Sequence, residues 1–417
     1  MTLTPYRRAL ALPGIRSLLI VAMLARIPVT AASVTLTLHV VDDLHRGYAA
    51  AGLVAAVMTV GSAIGAPLLG RLVDRRGLRP MLVLTTVAEA LFWAAAQAMP
   101  YPALLVTSFF GGLLTLPIFS VIRQSIAALA PEDQRRQAYA LDSMSVELSF
   151  MIGPALAVLM VTTTSARSTM LAVGAGIVCS GLALFALNPP VRGHDEPSAQ
   201  TAPVARREWV TPRLVGVLAI VAASTLVLGG TDVAVVAVLR DAGQMQWTGA
   251  VLAAWGAYSL VGGFAYGAVS RPLPPVALLI LLGACTIPVG LGGGQWWLLC
   301  LALLPAGALC APTLAATADV VSRLAPPSAR GEAMGLHGSA LTVGLALGAP
   351  LAGAVIDGSG PAWGFAATGL LGLLVGLVVL PGELRRRRTP QAAAPTTPTP
   401  DLVPSAPTPS APAPPTR

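Results

Sequence analysis

The stretch Gly70-Arg71-Leu72-Val73-Asp74-Arg75-Arg76-Gly77-Leu78-Arg79-Pro80 sets four arginines and one aspartate between two apolar runs, about 49–70 and 80–99. Each run has roughly the 20 residues that a helix needs to cross ~30 Å of hydrocarbon. The charged stretch therefore reads as a short polar turn between two membrane-crossing helices. Gly70 lets two helix ends approach closely, and Gly77 permits a tight turn. Asp74 beside Arg75, Arg76 and Arg79 is suited to charge-assisted hydrogen bonds that differ between two conformations.

Working outward from this turn, comparable runs recur along the chain. They lie at about 15–41, 49–70, 80–99, 101–123, 138–161, 167–187, 213–238, 247–269, 275–294, 296–320, 331–356 and 361–381. The 417 residues are 55% hydrophobic and 11% charged, against about a quarter charged in ordinary soluble domains. Mean hydropathy is +0.75. A soluble core cannot hide that much apolar surface; a bilayer can. The reading is an all-α membrane protein with twelve transmembrane helices.

Composition also excludes. The chain has no lysine, so all 26 basic residues are arginine. A Walker A loop needs its lysine, and so does a retinal Schiff base. Any driving force must then come from a gradient. Cys179, Cys285, Cys300 and Cys310 fall inside apolar runs and read as small buried hydrophobes. His39, His45, His194 and His337 are scattered without metal-ligand spacing. There is no His-Glu-x-x-His and no Gly-x-Ser-x-Gly. The expectation is no enzyme, no cofactor and no metal.

The net charge of +8 is accounted for by topology rather than by nucleic acid. With the N-terminus inside, inner loops receive Arg71, Arg75, Arg76, Arg79, Arg135, Arg136, Arg192, Arg206, Arg207, Arg271, Arg330 and Arg385 to Arg388. Outer loops receive only Arg46, Arg167 and Arg240. Both termini are thus expected to be cytoplasmic. A cleaved signal over the first run would leave an odd number of spans and break this pattern. The expected organisation is a six-helix bundle over 1–187, a polar linker over 188–212, a second bundle over 213–382, and an Arg- and Pro-rich tail over 383–417. That tail cannot form a core and is expected to be disordered.

Two bundles should show self-similarity, and they do. At an offset of 195, Pro117 matches Pro312, Ala130-Pro131 matches Ala325-Pro326, Arg135 matches Arg330, and Gly153 matches Gly348. At 197, Gly52, Ser62, Gly65 and Gly70 match Gly249, Ser259, Gly262 and Gly267. Two parallel, pseudo-symmetric halves follow.

The turn at Gly70 to Pro80 resembles the signature between the second and third helices of the major facilitator superfamily, Gly-x-Leu-x-Asp-Arg-x-Gly-x-Arg. The resemblance implies that fold and a role in transport over about 15–381. It further implies that Asp74 leans on the start of the eleventh helix, near Pro327-Ser328, so that Gly70, Asp74, Arg75, Gly77 and Arg79 form a gating motif. The related loop from Gly267 to Pro274 keeps Gly267 and Arg271 but lacks the aspartate. Ser149 to Val158 is similar to the family's antiporter motif in Gly153-Pro154, though the flanking glycines are lost. Gly153, Pro154, Pro117 and Pro312 read as kink and close-packing positions. Thr107 to Gly112, where antiporters of this family often carry an arginine, has none.

Ionisable groups deep in spans face cavities or partners. Arg26, Glu89, Glu147 and Asp232 are the deep ones. By the resemblance, Arg26 and Asp232 are expected at the substrate path, and Glu147 is the candidate proton carrier; Glu89 reads as structural. The expected function is proton-coupled efflux of a small organic solute by a monomer in the lipid of the plasma membrane. A nutrient-uptake symporter and a transport-dead sensor or scaffold are the alternatives.

Overall fold

The computed structural model describes residues 4–192, 205–269 and 272–388, and every regular element within them is helical. Linker residues 193–204 (His194 among them), Arg271 and the tail after Arg388 lie outside the described residues. A short helix, α1 (Thr4–Ala11), precedes the first span. The described residues 381–388 form a separate small unit, the end of the last helix.

Twelve helices are long and apolar enough to cross a membrane. Spans one to six are Ile15–Asp43, Ala49–Arg76, Leu78–Ala96, Tyr101–Leu129, Glu132–Thr163 and Ala166–Leu187. Spans seven to twelve are Pro212–Asp241, Met245–Ala268, Pro275–Gly292, Trp296–Leu324, Pro327–Ser359 and Pro361–Arg385. Several run past the apolar stretches that announced them. Hydropathy stops at the first charge, whereas backbone hydrogen bonding continues until something ends it. Span two goes on through Arg71 to Arg76 and ends at Gly77, whose φ is 84°. Span six starts on the Ser165 side chain and span seven on that of Thr211, each accepting a first-turn N–H.

The same helix pairings recur in both halves. Span one packs on span five as seven does on eleven, and two on four as eight does on ten. This gives two pseudo-symmetric six-helix bundles. Ile15, Leu18, Met81, Ile122 and Tyr139 centre one core; Val235, Leu239, Leu303 and Phe365 centre another. Leu91, Val106, Val261 and Val378 stand exposed on the outer surface, as a lipid-facing wall requires.

Proline alone does not decide where these helices break. Spans one, two, five and eleven run through Pro28, Pro67, Pro154 and Pro350, and span ten through Pro305 and Pro312. Span four does break, into Tyr101–Leu113 and Ile118–Leu129, with 114–117 non-helical before Pro117 ends the gap.

Candidate functional site

The two bundles enclose a cavity of about 1670 Å³. Its lining reaches Arg240, Asp241, Gly249, Asp357 and Pro361, at the ends of spans seven, eight, eleven and twelve. This open face lies opposite the one that carries the Gly77 turn and α1. The walls are mostly small or apolar, with Phe119, Phe150, Trp93 and Trp255 as aromatic surface. Four deep charged groups interrupt them: Glu89, Arg123, Glu147 and Asp232.

At the other face the bundles meet. Asp74 accepts the Gly331 N–H at Oδ1 and the Glu332 N–H at Oδ2, each at 2.8 Å, with Gln124 donating at 3.3 Å. The carboxylate thereby caps span eleven, where the helix dipole favours an anion. Arg71 grips Glu332 through Nε and Nη2, at 3.0 and 2.8 Å, and Arg206 binds the same carboxylate. Such close backbone contact needs glycine: a Cβ at Gly70 would strike the Gly331 carbonyl. Arg75 is exposed, and Arg79 lies 5.2 Å over the Phe185 ring. Thus Gly70 and Asp74 form the inter-bundle contact, while Gly77 shapes the turn and Arg75 and Arg79 stand outside it.

Helix α1 adds a strap. Tyr6 is buried, stacks on Phe264 of span eight at 4.9 Å, and donates to the Phe264 carbonyl. Burial pushes its hydroxyl up to about 12, from an ordinary 10.0. A raised pKa means the folded state favours the neutral phenol. Its contribution is therefore whole below about pH 10 and is lost as pH climbs toward 12. Limited proteolysis around α1 should be flat up to about pH 10 and accelerate above it. Tyr6→Phe should remove that alkaline step and cost about 1 kcal/mol.

Between the closed face and the cavity lies a buried charge cluster. Asp142 accepts from Arg26 at 2.6 Å and from Arg123 Nε at 3.4 Å. Arg26 also lies 5.0 Å over Phe119. Arg123 Nη1 sits 3.2 Å from His337 Nδ1, and His337 Nε2 is 3.2 Å from Thr317 Oγ1. Arginine only donates, so Nδ1 accepts and the ring proton resides on Nε2. Spans one, four and five are thereby tied to spans ten and eleven.

Arg26, then, sits in a buried ion pair beside Asp142 and is absent from the cavity lining, whereas Glu147 and Asp232 are on it. Glu147 accepts from Ser259 of span eight at 2.8 Å, a contact between bundles, and Asp232 faces open cavity space within reach of the Glu147 charge. Gly153 packs its bare Cα on Thr30, Pro154 lines the cavity, and Pro117 and Pro312 lie in spans four and ten. Sequence reasoning missed His337, Thr317, Tyr6 and Ser259, since nothing local marks a polar residue whose partner is far along the chain. The four cysteines are free.

A model of the Major Facilitator Superfamily matches residues 18–293 and 274–413. The multidrug efflux pump Tap of Mycolicibacterium fortuitum is 26% identical over 372 residues, covering 81% of this chain and 88% of that protein. Solved structures share the fold. A bacterial homologue of the iron transporter ferroportin, in its outward-facing state, aligns with TM-score 0.72 at 13% identity, over 90% of this chain and 100% of its own. The human organic anion transporter MFSD10 (TETRAN) aligns at 0.69 and 19%, over 88% of this chain and 100% of its own. The proton:xylose symporter XylE aligns at 0.65 and 13%, over 88% and 95%.

Proposed function

Because the chain belongs to the Major Facilitator Superfamily, we propose that it exports a small amphiphilic organic solute across the plasma membrane in exchange for protons. The carrying observation is the cavity: one mainly apolar chamber, open at one face and sealed at the other, with Glu147 and Asp232 on its walls. Apolar and aromatic surface would hold the body of the solute, and the carboxylates would couple it to protons. Arg71, Arg75, Arg76, Arg79, Arg135, Arg136 and Arg206 fall at the sealed end, which the positive-inside tendency makes cytoplasmic. The captured conformation is then outward-open, and alternating access would rock the bundles about the cavity. The likeness to a multidrug efflux pump supports export. The proposed working unit is a monomer, in which one chain supplies both walls of the cavity.

Reconstituted protein supplies the test. Solute flux in proteoliposomes should follow an imposed pH gradient, and Glu147→Gln and Asp232→Asn should each lower gradient-driven flux about 10- to 100-fold. Flux indifferent to the gradient and to both substitutions would remove proton exchange from this reading.

A further inference from the structure

Pro117 and Pro312 occupy matching places in the two halves, yet only one of their helices breaks. Span ten runs unbroken from Trp296 to Leu324, whereas span four stops at Leu113 and restarts at Ile118. What differs is the neighbour. Glu89 of span three is 2% exposed and accepts three hydrogen bonds. Thr115 Oγ1 donates at 2.6 Å and the Leu116 N–H at 3.3 Å, both to Oε1; Trp93 Nε1 donates to Oε2 at 2.7 Å. Two of these donors belong to the non-helical gap. At the offsets that align the halves, Glu89 falls on Ala284 or Thr286, neither of which carries a carboxylate.

Among the described residues no counter-charge meets this carboxylate. Spans two, four and six pack on span three. Span two holds nothing titratable between Tyr48 and Arg71, and span six only Arg167 and Cys179. Span four has Tyr101 at its far end and Arg123, which is occupied by Asp142 and His337. Among the described residues no ion pair reaches Glu89, and the groups that meet its carboxylate are hydrogen-bond donors alone. It is nonetheless in contact with the cavity, as are Trp93, Thr115, Leu116 and Pro117.

We infer that Glu89 is a proton-binding site that operates the break in span four. The charged carboxylate accepts all three donors and holds the gap open. A proton delivered by cavity water to Oε1 forms an O–H there, which donates to Thr115 Oγ1 once that hydroxyl turns, and leaves the neutral oxygen a much weaker acceptor for the Leu116 N–H. The gap loses its clasp, and the half-helix beyond it is free to reorient; release of the proton to water restores the clasp. That half-helix carries Phe119, Ser120 and Arg123, which touch Arg26, Met334 and His337. Proton binding at Glu89 thus acts on the contacts that tie the two bundles together.

Hydrogen exchange over 113–118, measured on full-length protein in lipid nanodiscs and corrected for intrinsic rates, tests this directly. Between about pH 9 and about pH 5 the Leu116 amide of the native protein should lose protection at least about tenfold. Glu89→Gln should show exchange that no longer responds to pH, and Glu89→Asp should retain a response. Native exchange that stays flat over this range would overturn the inference, as would a Glu89→Gln profile that still follows pH. The native measurement decides even if Glu89→Gln does not fold. The inference rests on the transport reading only in its flux arm, where Glu89→Gln should flatten the pH profile of solute movement. Exchange that switches with pH in a protein without flux would overturn the transport reading and leave the proton site standing.

Discussion

Asp74→Ala is expected to release the sealed face, shifting the resting population toward the state open at that end by roughly 30-fold. The carboxylate accepts two backbone N–H groups of span eleven at 2.8 Å, and it is buried. Alanine leaves Gly331 and Glu332 without their acceptor and leaves the helix dipole uncapped. Loss of such a cap costs up to about 2 kcal/mol, which converts to that population change. On the alternating-access reading the cost falls on one conformation only, because the two bundles would share these bonds only while this face is closed. Spin-label distances across the sealed face, on labels placed at exposed Arg75 and Arg207, would read the shift. Flux should fall with it, since a carrier held in one state cycles slowly. Distances unchanged from the parent protein would separate Asp74 from gating. Asp74→Asn should lie between, because one amide oxygen replaces two acceptor oxygens.

The fold was largely legible in the sequence because the bilayer imposes a simple rule. Twelve apolar runs gave twelve spans, and ordered matches such as Pro117 with Pro312 and Gly70 with Gly267 announced the paired halves. Where the ends differed, the cause was local: hydropathy registers Arg71 as a boundary, while the helix continues to Arg76. The site was legible only in part. Glu147 and Asp232 stood out as isolated charges in apolar runs, and the structure puts both on the cavity wall. Arg26 stood out in the same way, yet its partner is Asp142, 116 residues on, and the structure buries the pair completely. Depth along a helix can be counted from sequence, but the side of the helix and the partner cannot. Glu89 illustrates the same limit. Its chemistry depends on donors from a broken neighbouring helix, and Pro117 alone does not announce the break, since the matching Pro312 sits in an unbroken helix.

The largest effect on stability should come from Asp142→Asn. One carboxylate serves two buried guanidiniums, with both Arg26 and Asp142 fully enclosed. Removing it strands two positive charges rather than one, and stranding one buried partner already costs about 3–5 kcal/mol. The Phe119 face gives Arg26 a second contact, and His337 gives one to Arg123, but neither supplies negative charge. Arg26→Gln acts in the opposite sense on the balance. It takes away one of two cations and leaves Arg123 and Asp142 as a one-to-one pair, so its cost should be clearly smaller. Thermal unfolding of the purified variants measures the difference. The double variant should be less damaged than the sum of the singles by at least about 1 kcal/mol, because the asparagine then strands only Arg123. Equal destabilisation by Asp142→Asn and Arg26→Gln would mean that water or lipid headgroups reach the cluster and share its charge. In that case the junction between spans one, four and five would owe its strength to packing around Ile118, Ile122 and Tyr139 rather than to this carboxylate.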